Sequence, residues 1–335
     1  MSRRAVGIYL IGLLLLTMLV GGYYAAAFDS VKIEQTPFEF TREYSPGTWP
    51  GETPVTQIPN RLEKGPATSA TPLFHGARAF EDLLTQVGFG PRIPGTIGHD
   101  KTRNWIQEKL EAAGWTVNVH STERLGHPIY NLIAQRNELP PKIILGAHYD
   151  TRQFADRDRD PLKNSEPVPG ANDGASGVAV LLELARVLPI ETTPTWFVFF
   201  DAEDNGRIPG WDWILGSQAF VEEIPINPQV VVIVDMVGDA DLDIYFEGNS
   251  DARIRSEIWN TAEELGYAEF FIREERHNIL DDHLPFIQAG IPAVDIIDFE
   301  YEYWHTTEDT ADKVSPESLQ IVGDTLLHWI LGRSR

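Results

Sequence analysis

Imidazoles and carboxylates recur in short clusters from residue 148 onward in this 335-residue chain. His148 and Asp150 flank Tyr149. Asp173 sits between Asn172 and Gly174. Glu203 and Asp204 are adjacent, Asp235 closes a valine-rich run, and His305 lies between Trp304 and Thr306. Oxygen and imidazole donors of this kind hold a divalent cation, and zinc suits the mixture best. The chain has no cysteine. Disulfides, thiolate ligands and a cysteine nucleophile are excluded, so any metal must be held by His, Asp, Glu or water.

Each cluster has a plainer reading when taken singly. Asp173 could cap a helix, the 203–204 pair could be a solvated turn, and His305 could be a core histidine beside Trp304. The chemical readings gain weight together. Small residues on both sides of Asp173, in Gly170-Ala171-Asn172 and Gly174-Ala175-Ser176-Gly177, let the backbone come close to a metal. Glu203 and Asp204 point in different directions, so one can bind a metal while the other works as acid and base. His148 and Asp150, two apart, share a face as a ligand and its orienting partner. Asp235 is either a further ligand or the group that fixes the tautomer of His148.

The elements needed to bring these residues together are legible. Ile143–Ala147, Trp196–Phe200 and Val230–Val234 are apolar runs that lead into His148, Asp201 and Asp235. Pro292–Ile297 reads as a further strand, and Trp115–His120 and Tyr130–Ala134 alternate as strands do. Helical spacing covers Ala77–Val87, Asp100–Ala113, Ser176–Leu188 (with Glu183 and Arg186 outward), Gln218–Glu223, Asp251–Leu265 and Ser315–Leu331. Strands alternating with helices predict an α/β fold with a mostly parallel central sheet flanked by helices. Ligands gather at the carboxyl ends of such strands, so one sheet edge should carry the site.

The N-terminus is a different material. Arg3 and Arg4 precede Ala5–Phe28, which carries no charge. About twenty apolar residues span a bilayer, and basic residues before them keep that end in the cytoplasm. Residues 1–28 therefore read as a transmembrane anchor, or as a signal peptide cleaved near Ala25-Ala26-Ala27. The catalytic part is then extracytoplasmic, or secreted if cleavage occurs. Residues 29–72, rich in proline, read as a linker or arm, and 73–335 as a single catalytic domain. The net charge of −23 repels nucleic acid.

The joint order His148, Asp173, Glu203-Asp204, Asp235, Asp282-His283, His305 resembles the zinc aminopeptidase and glutaminyl cyclase superfamily from about Leu73 to Leu331. Trp304-His305-Thr306, the segment Asp281-Asp282-His283-Leu284-Pro285-Phe286, the long turn Arg207–Ser217 and the run Ala147–Asp158 look most like the bacterial members of the cyclase branch. The resemblance implies a phosphorylase/hydrolase-like fold and one zinc ion held by Asp173, Asp204 and His305. It implies Glu203 as acid and base, Asp282 as its helper, and a slot lined by Trp304, Trp211 and Trp213. The substrate would be the N-terminal glutamine of a peptide or protein, closed to pyroglutamate with release of ammonia. Asp204 departs from the glutamate usual at its position. On the aminopeptidase branch, His148 and Asp235 would hold a second zinc and Glu203 would activate water. A binding ectodomain without activity would not need Glu203.

Overall fold

The computed structural model describes residues 72–334. The N-terminal anchor or signal segment, and the arm up to residue 71, lie outside them. Among the described residues no helix is long and apolar enough to cross a membrane. In chain order the elements are α1 (Gly76–Gly88), α2 (Ile97–Ala112), β1 (Thr116–Arg124), β2 (His127–Gln135), β3 (Ile143–His148), α3 (Ala175–Val187), β4 (Thr195–Phe200), α4 (Leu215–Glu223), β5 (Val230–Asp235), β6 (Ile244–Glu247), α5 (Ala252–Glu264), β7 (Phe271–His277), α6 (Leu284–Gln288), β8 (Ala293–Ile297) and α7 (Pro316–Gly332).

Six strands form one sheet in the order β1-β2-β4-β3-β5-β8. β4, β3, β5 and β8 run parallel, while β1 and β2 join antiparallel. The parallel strands are apolar along nearly their whole length because both faces are covered. Every residue of β3, β5 and β8 is buried. Leu145, Ala147, Phe197, Val232 and Val234 pack toward the helices of one face, where Leu181, Leu184, Leu326 and Ile330 meet them. Ile144, Val198, Phe200 and Ile233 take the other face, against Phe220 of α4 and Phe286 of α6. Period-two alternation thus feeds two cores from the same strands. The β1–β2 hairpin turns on Leu125 and Gly126, both with positive φ, as a two-residue loop between right-twisted strands requires.

Two expectations change. Glu183 does not face outward. It is fully buried on α3, where Arg78 donates to both its oxygens at 2.7 and 2.5 Å and Arg186 adds a third bond. The reason is that α3 lies beneath α1 and α7 and has no solvent face at that position. Between β5 and β8 the chain also builds a separate two-stranded parallel sheet, β6–β7, with an irregular register. Its loop past β7 reaches the site described next.

Candidate active site

β3 and β5 deliver His148 and Asp235 as their last residues. Asp173 lies on the loop before α3. Gly174, φ +89, starts that helix without any side-chain cap, so the carboxylate of Asp173 is not spent on capping. A Cβ on Gly174 would come within 2.9 Å of the Asp150 carbonyl and 3.0 Å of the His148 ring. That approach is why the loop is built from small residues.

Glu203 and Asp204 do not stand at the strand end itself. β4 stops at Phe200, Ala202 takes a left-handed φ of 53°, and the turn that follows presents both carboxylates. The carboxylate of Asp150 holds this turn, accepting from the Glu203 N–H at 3.0 Å and the Asp204 N–H at 3.3 Å. Asp150 also lies 3.5 Å from Nδ1 of His148. Met236, after Asp235, and His305 itself have positive φ as well. Left-handed backbone at non-glycine residues concentrates where side chains must be aimed against local preference.

These turns assemble two buried triads that share Asp173. His148, Asp173 and Asp235 form one, and Asp173, Asp204 and His305 the other, with the donor atoms of each within 4.8 Å of one another. Asp173 divides its oxygens, Oδ1 lying 3.1 Å from Nε2 of His148 and Oδ2 3.7 Å from Nε2 of His305. Asp235 Oδ1 is 3.1 Å from His148 Nε2, and Asp204 Oδ1 is 2.8 Å from His305 Nε2. Asp173 Oδ2, Asp204 Oδ2 and His148 Nδ1 are buried without a hydrogen-bond partner. Leaving such groups unsatisfied costs on the order of 1–3 kcal/mol each. A cation would satisfy the carboxylates, and the donor types are those of zinc. The residues therefore fit the metal.

Electrostatics agree with a site built to concentrate negative charge. Burial and the charge of Asp173 push Asp204 up to about 6. Burial opposes the charged form of His305, but Asp204, Asp156 and Asp173 raise it to about 9. Glu203 is lifted well above the usual carboxylate range by burial, helped by the charges of Asp204, Asp281 and Asp282 and opposed by His148. A buried carboxyl with its affinity for a proton raised in this way is suited to take up and return one during a reaction.

The triads open on a cavity of about 380 Å³. Its wall includes Glu203, Asp281, Trp213, Ile279, Phe299 and Trp304. Trp304 stacks on the His305 ring at 3.8 Å and Trp213 at 6.0 Å, centroid to centroid. Gly206 makes room for Trp213, because a Cβ there would sit 2.1 Å from the indole. One sequence expectation does not hold for this wall. Trp211 turns away and stacks on His127 at 3.6 Å, packed with Ile129, Ala202 and Leu215. Asp282 is fully buried and does not line the cavity. Asp281 does, with Oδ2 unpartnered and Oδ1 accepting the Asp282 N–H at 2.5 Å.

Other residues support the site from behind the ligands. Buried Arg92 donates to the carbonyls of Tyr149, Pro169, Gly170 and Asp173 and so fixes the Asp173 loop. Asp309 accepts from the N–H groups of Asn172 and Asp173 and from the Tyr301 hydroxyl. Arg152 grips Asp156 through two bonds, donates to the Asp204 carbonyl, and lies 5.0 Å from the Trp213 ring centroid. Arg92 lies outside every motif of the sequence, whereas Arg152 stands in the run Ala147–Asp158.

Trp304 has both wall and packing contacts, since it also meets Phe299 at 4.9 Å. Trp304→Ala should leave zinc content and folding in place, because no ligand is removed. Turnover should fall roughly 10²-fold, the cost of about 1 Å of misplacement of reacting groups. Zinc analysis, a melting curve and kcat measured on one preparation check this. Loss of zinc with a lowered Tm would make Trp304 a packing residue only.

The chain is similar to the glutaminyl-peptide cyclotransferase of Bothrops jararaca, 25% identical over 287 residues that cover 72% of this chain and 77% of the relative. Its fold is similar to the crystal structure of Porphyromonas gingivalis glutaminyl cyclase, with a TM-score of 0.74, 32% identity, and coverage of 78% of this chain and 99% of that one. It is also similar to a Zn-dependent exopeptidase from Parabacteroides distasonis, with a TM-score of 0.73, 30% identity, and coverage of 78% and 99%. Residues 130–330, which carry both triads and the walls of the cavity, match the model of peptidase family M28, and the chain belongs to that family.

Proposed function

We propose that this chain is a zinc-dependent glutaminyl-peptide cyclotransferase, which closes the N-terminal glutamine of peptides to pyroglutamate and releases ammonia. The observation that carries the reading is a complete three-donor set, Asp173, Asp204 and His305, beside a tryptophan-walled slot whose wall also holds buried Glu203. Similarity to the cyclotransferases named above supports it. One zinc ion would be held by Asp173, Asp204 and His305, and when bound it supplies Lewis acidity at the side-chain carbonyl. Glu203 accepts a proton from the α-amine as its nitrogen attacks the side-chain carbonyl carbon. It then gives a proton to the amide nitrogen that leaves as ammonia. Asp281, rather than Asp282, is the carboxylate that faces this exchange from the cavity wall. Trp213 and Trp304 confine the five-membered ring as it forms and keep water from competing.

A second reading rests on the first triad. His148, Asp173 and Asp235 offer donors for another metal, as an aminopeptidase that activates water would need. The full chain incubated with Gln-initiated and Leu-initiated peptides, with products read by mass, separates the two. Ammonia loss from the first is the expected result. Free leucine from the second, without cyclisation, would replace the cyclase by an exopeptidase.

The enzyme would work outside the cytoplasm. Arg3-Arg4 ahead of the uncharged Ala5–Phe28 supports an N-terminal membrane anchor, with residues 73–335 as the exported catalytic domain. Protease added to intact spheroplasts of the expressing bacterium should digest that domain. Full protection until lysis would overturn this topology.

A further inference from the structure

Acidic residues outnumber basic ones in this chain by 50 to 27, so an arginine finds a carboxylate easily. Among the described residues, the other arginine side chains each meet a carboxylate or a backbone carbonyl. Arg157 and Arg207 meet neither, and both line the catalytic cavity. The five carboxylates of the same wall, those of Asp173, Glu203, Asp204, Asp235 and Asp281, are buried. The two arginines are exposed. The cavity is therefore negative at depth and positive at its mouth.

Neither arginine is placed by accident of a loose loop. The backbone N–H of Arg157 donates to the His305 carbonyl at 3.1 Å. The next residue, Asp158, accepts from the Thr307 N–H at 3.0 Å and the Thr307 hydroxyl at 2.6 Å. The guanidinium carbon of Arg157 lies 5.1 Å from the Trp304 ring centroid, within cation–π range. Arg207 holds a left-handed φ of 62° on the turn that also carries Glu203 and Trp213. Both charges are thus tied to segments that build the reactive end of the slot.

We propose that Arg157 and Arg207 form a carboxylate subsite, and that preferred substrates carry a negative charge within one or two residues of the reacting N-terminus. This rests on the cyclase reading. A peptide whose amine enters among the deep carboxylates and whose acidic group follows behind matches the cavity's order of charge. The carboxylate can come from an acidic side chain or from the end of a very short peptide.

The test compares kcat/KM of the zinc-loaded full chain on Gln-Glu-Ala-Phe-amide and Gln-Gln-Ala-Phe-amide, and on the dipeptide Gln-Gln as free acid and amide. The carboxylate-bearing member of at least one pair should be favoured about fivefold, as exposed charge pairs allow. The preference should shrink in high salt and fall to near unity in the Arg157→Gln/Arg207→Gln double variant. A preference within the tetrapeptides assigns the subsite to side chains, and one within the dipeptides to chain ends. Equal values within both pairs, or a preference that survives the double substitution, overturns the proposal. Equilibrium binding of the same peptides to the Glu203→Gln chain reads the subsite without turnover. Absent cyclisation with a retained binding ratio would remove the cyclase reading and leave the arginine subsite standing.

Discussion

Replacing Glu203 by glutamine should leave zinc and peptide bound while turnover of a Gln-initiated peptide falls by about 10²–10⁴-fold, the usual contribution of a general acid–base group. The substitution keeps the shape of the side chain and removes its capacity to take a proton. Glu203 belongs to neither triad, so its carboxyl is spared from the metal. Its elevated pKa follows from burial and from the surrounding carboxylates, which make it a better proton acceptor than an exposed glutamate. The backbone N–H of Glu203, held by Asp150 at 3.0 Å, is unaffected, so the turn should keep its form. Steady-state kinetics, zinc content and peptide affinity on the same variant check the expectation. Turnover equal to the parent enzyme would remove Glu203 from the chemistry. A loss of zinc in parallel would show that the carboxylate supports the metal and not the proton.

Legibility followed the physics of burial. Strands β3, β4 and β5 are visible because both faces of a parallel strand must be apolar, and the runs ending at Ala147, Phe200 and Val234 are. Their last residues could then be placed on one sheet edge, and His148 and Asp235 do meet there. β6 and β7 were invisible for the opposite reason. Ile244–Glu247 is only four residues long, and Phe271–His277 is mostly charged and exposed. Helix α6 has five residues, too few for a period to show. The division of Asp281 and Asp282 between wall and interior is hidden for the same reason. Two adjacent carboxylates at the entrance of a short helix are equivalent in sequence, yet only Asp281 lines the cavity. Trp211 and Trp213 differ likewise by the gap at Gly206, which periodicity does not reveal. Glu183 reads as outward by helical spacing, yet a helix covered by two others buries even its charges when Arg78 and Arg186 are there to pair with them.

Metal analysis should find one tightly held zinc per chain after dialysis, and His305→Ala should lose it together with activity. The expectation comes from the difference between the triads. Asp204 and His305 are in contact at 2.8 Å and flanked by both tryptophans and Arg152, so this set adjoins the slot where a carbonyl would be polarised. Removing a group that merely orients a ligand already costs about 10–100-fold in affinity, and removing a ligand from a set of three should cost more. His148→Ala separates the alternatives, because His148 belongs only to the other triad. If zinc and cyclisation survive that substitution, the metal sits with Asp173, Asp204 and His305, and the His148–Asp235 pair serves to steady the shared Asp173. If dialysis leaves two equally tight zinc ions, and His148→Ala removes one of them along with activity, both triads are metal sites. The bridging geometry of Asp173, with one oxygen toward each histidine, would then be that of a two-metal exopeptidase.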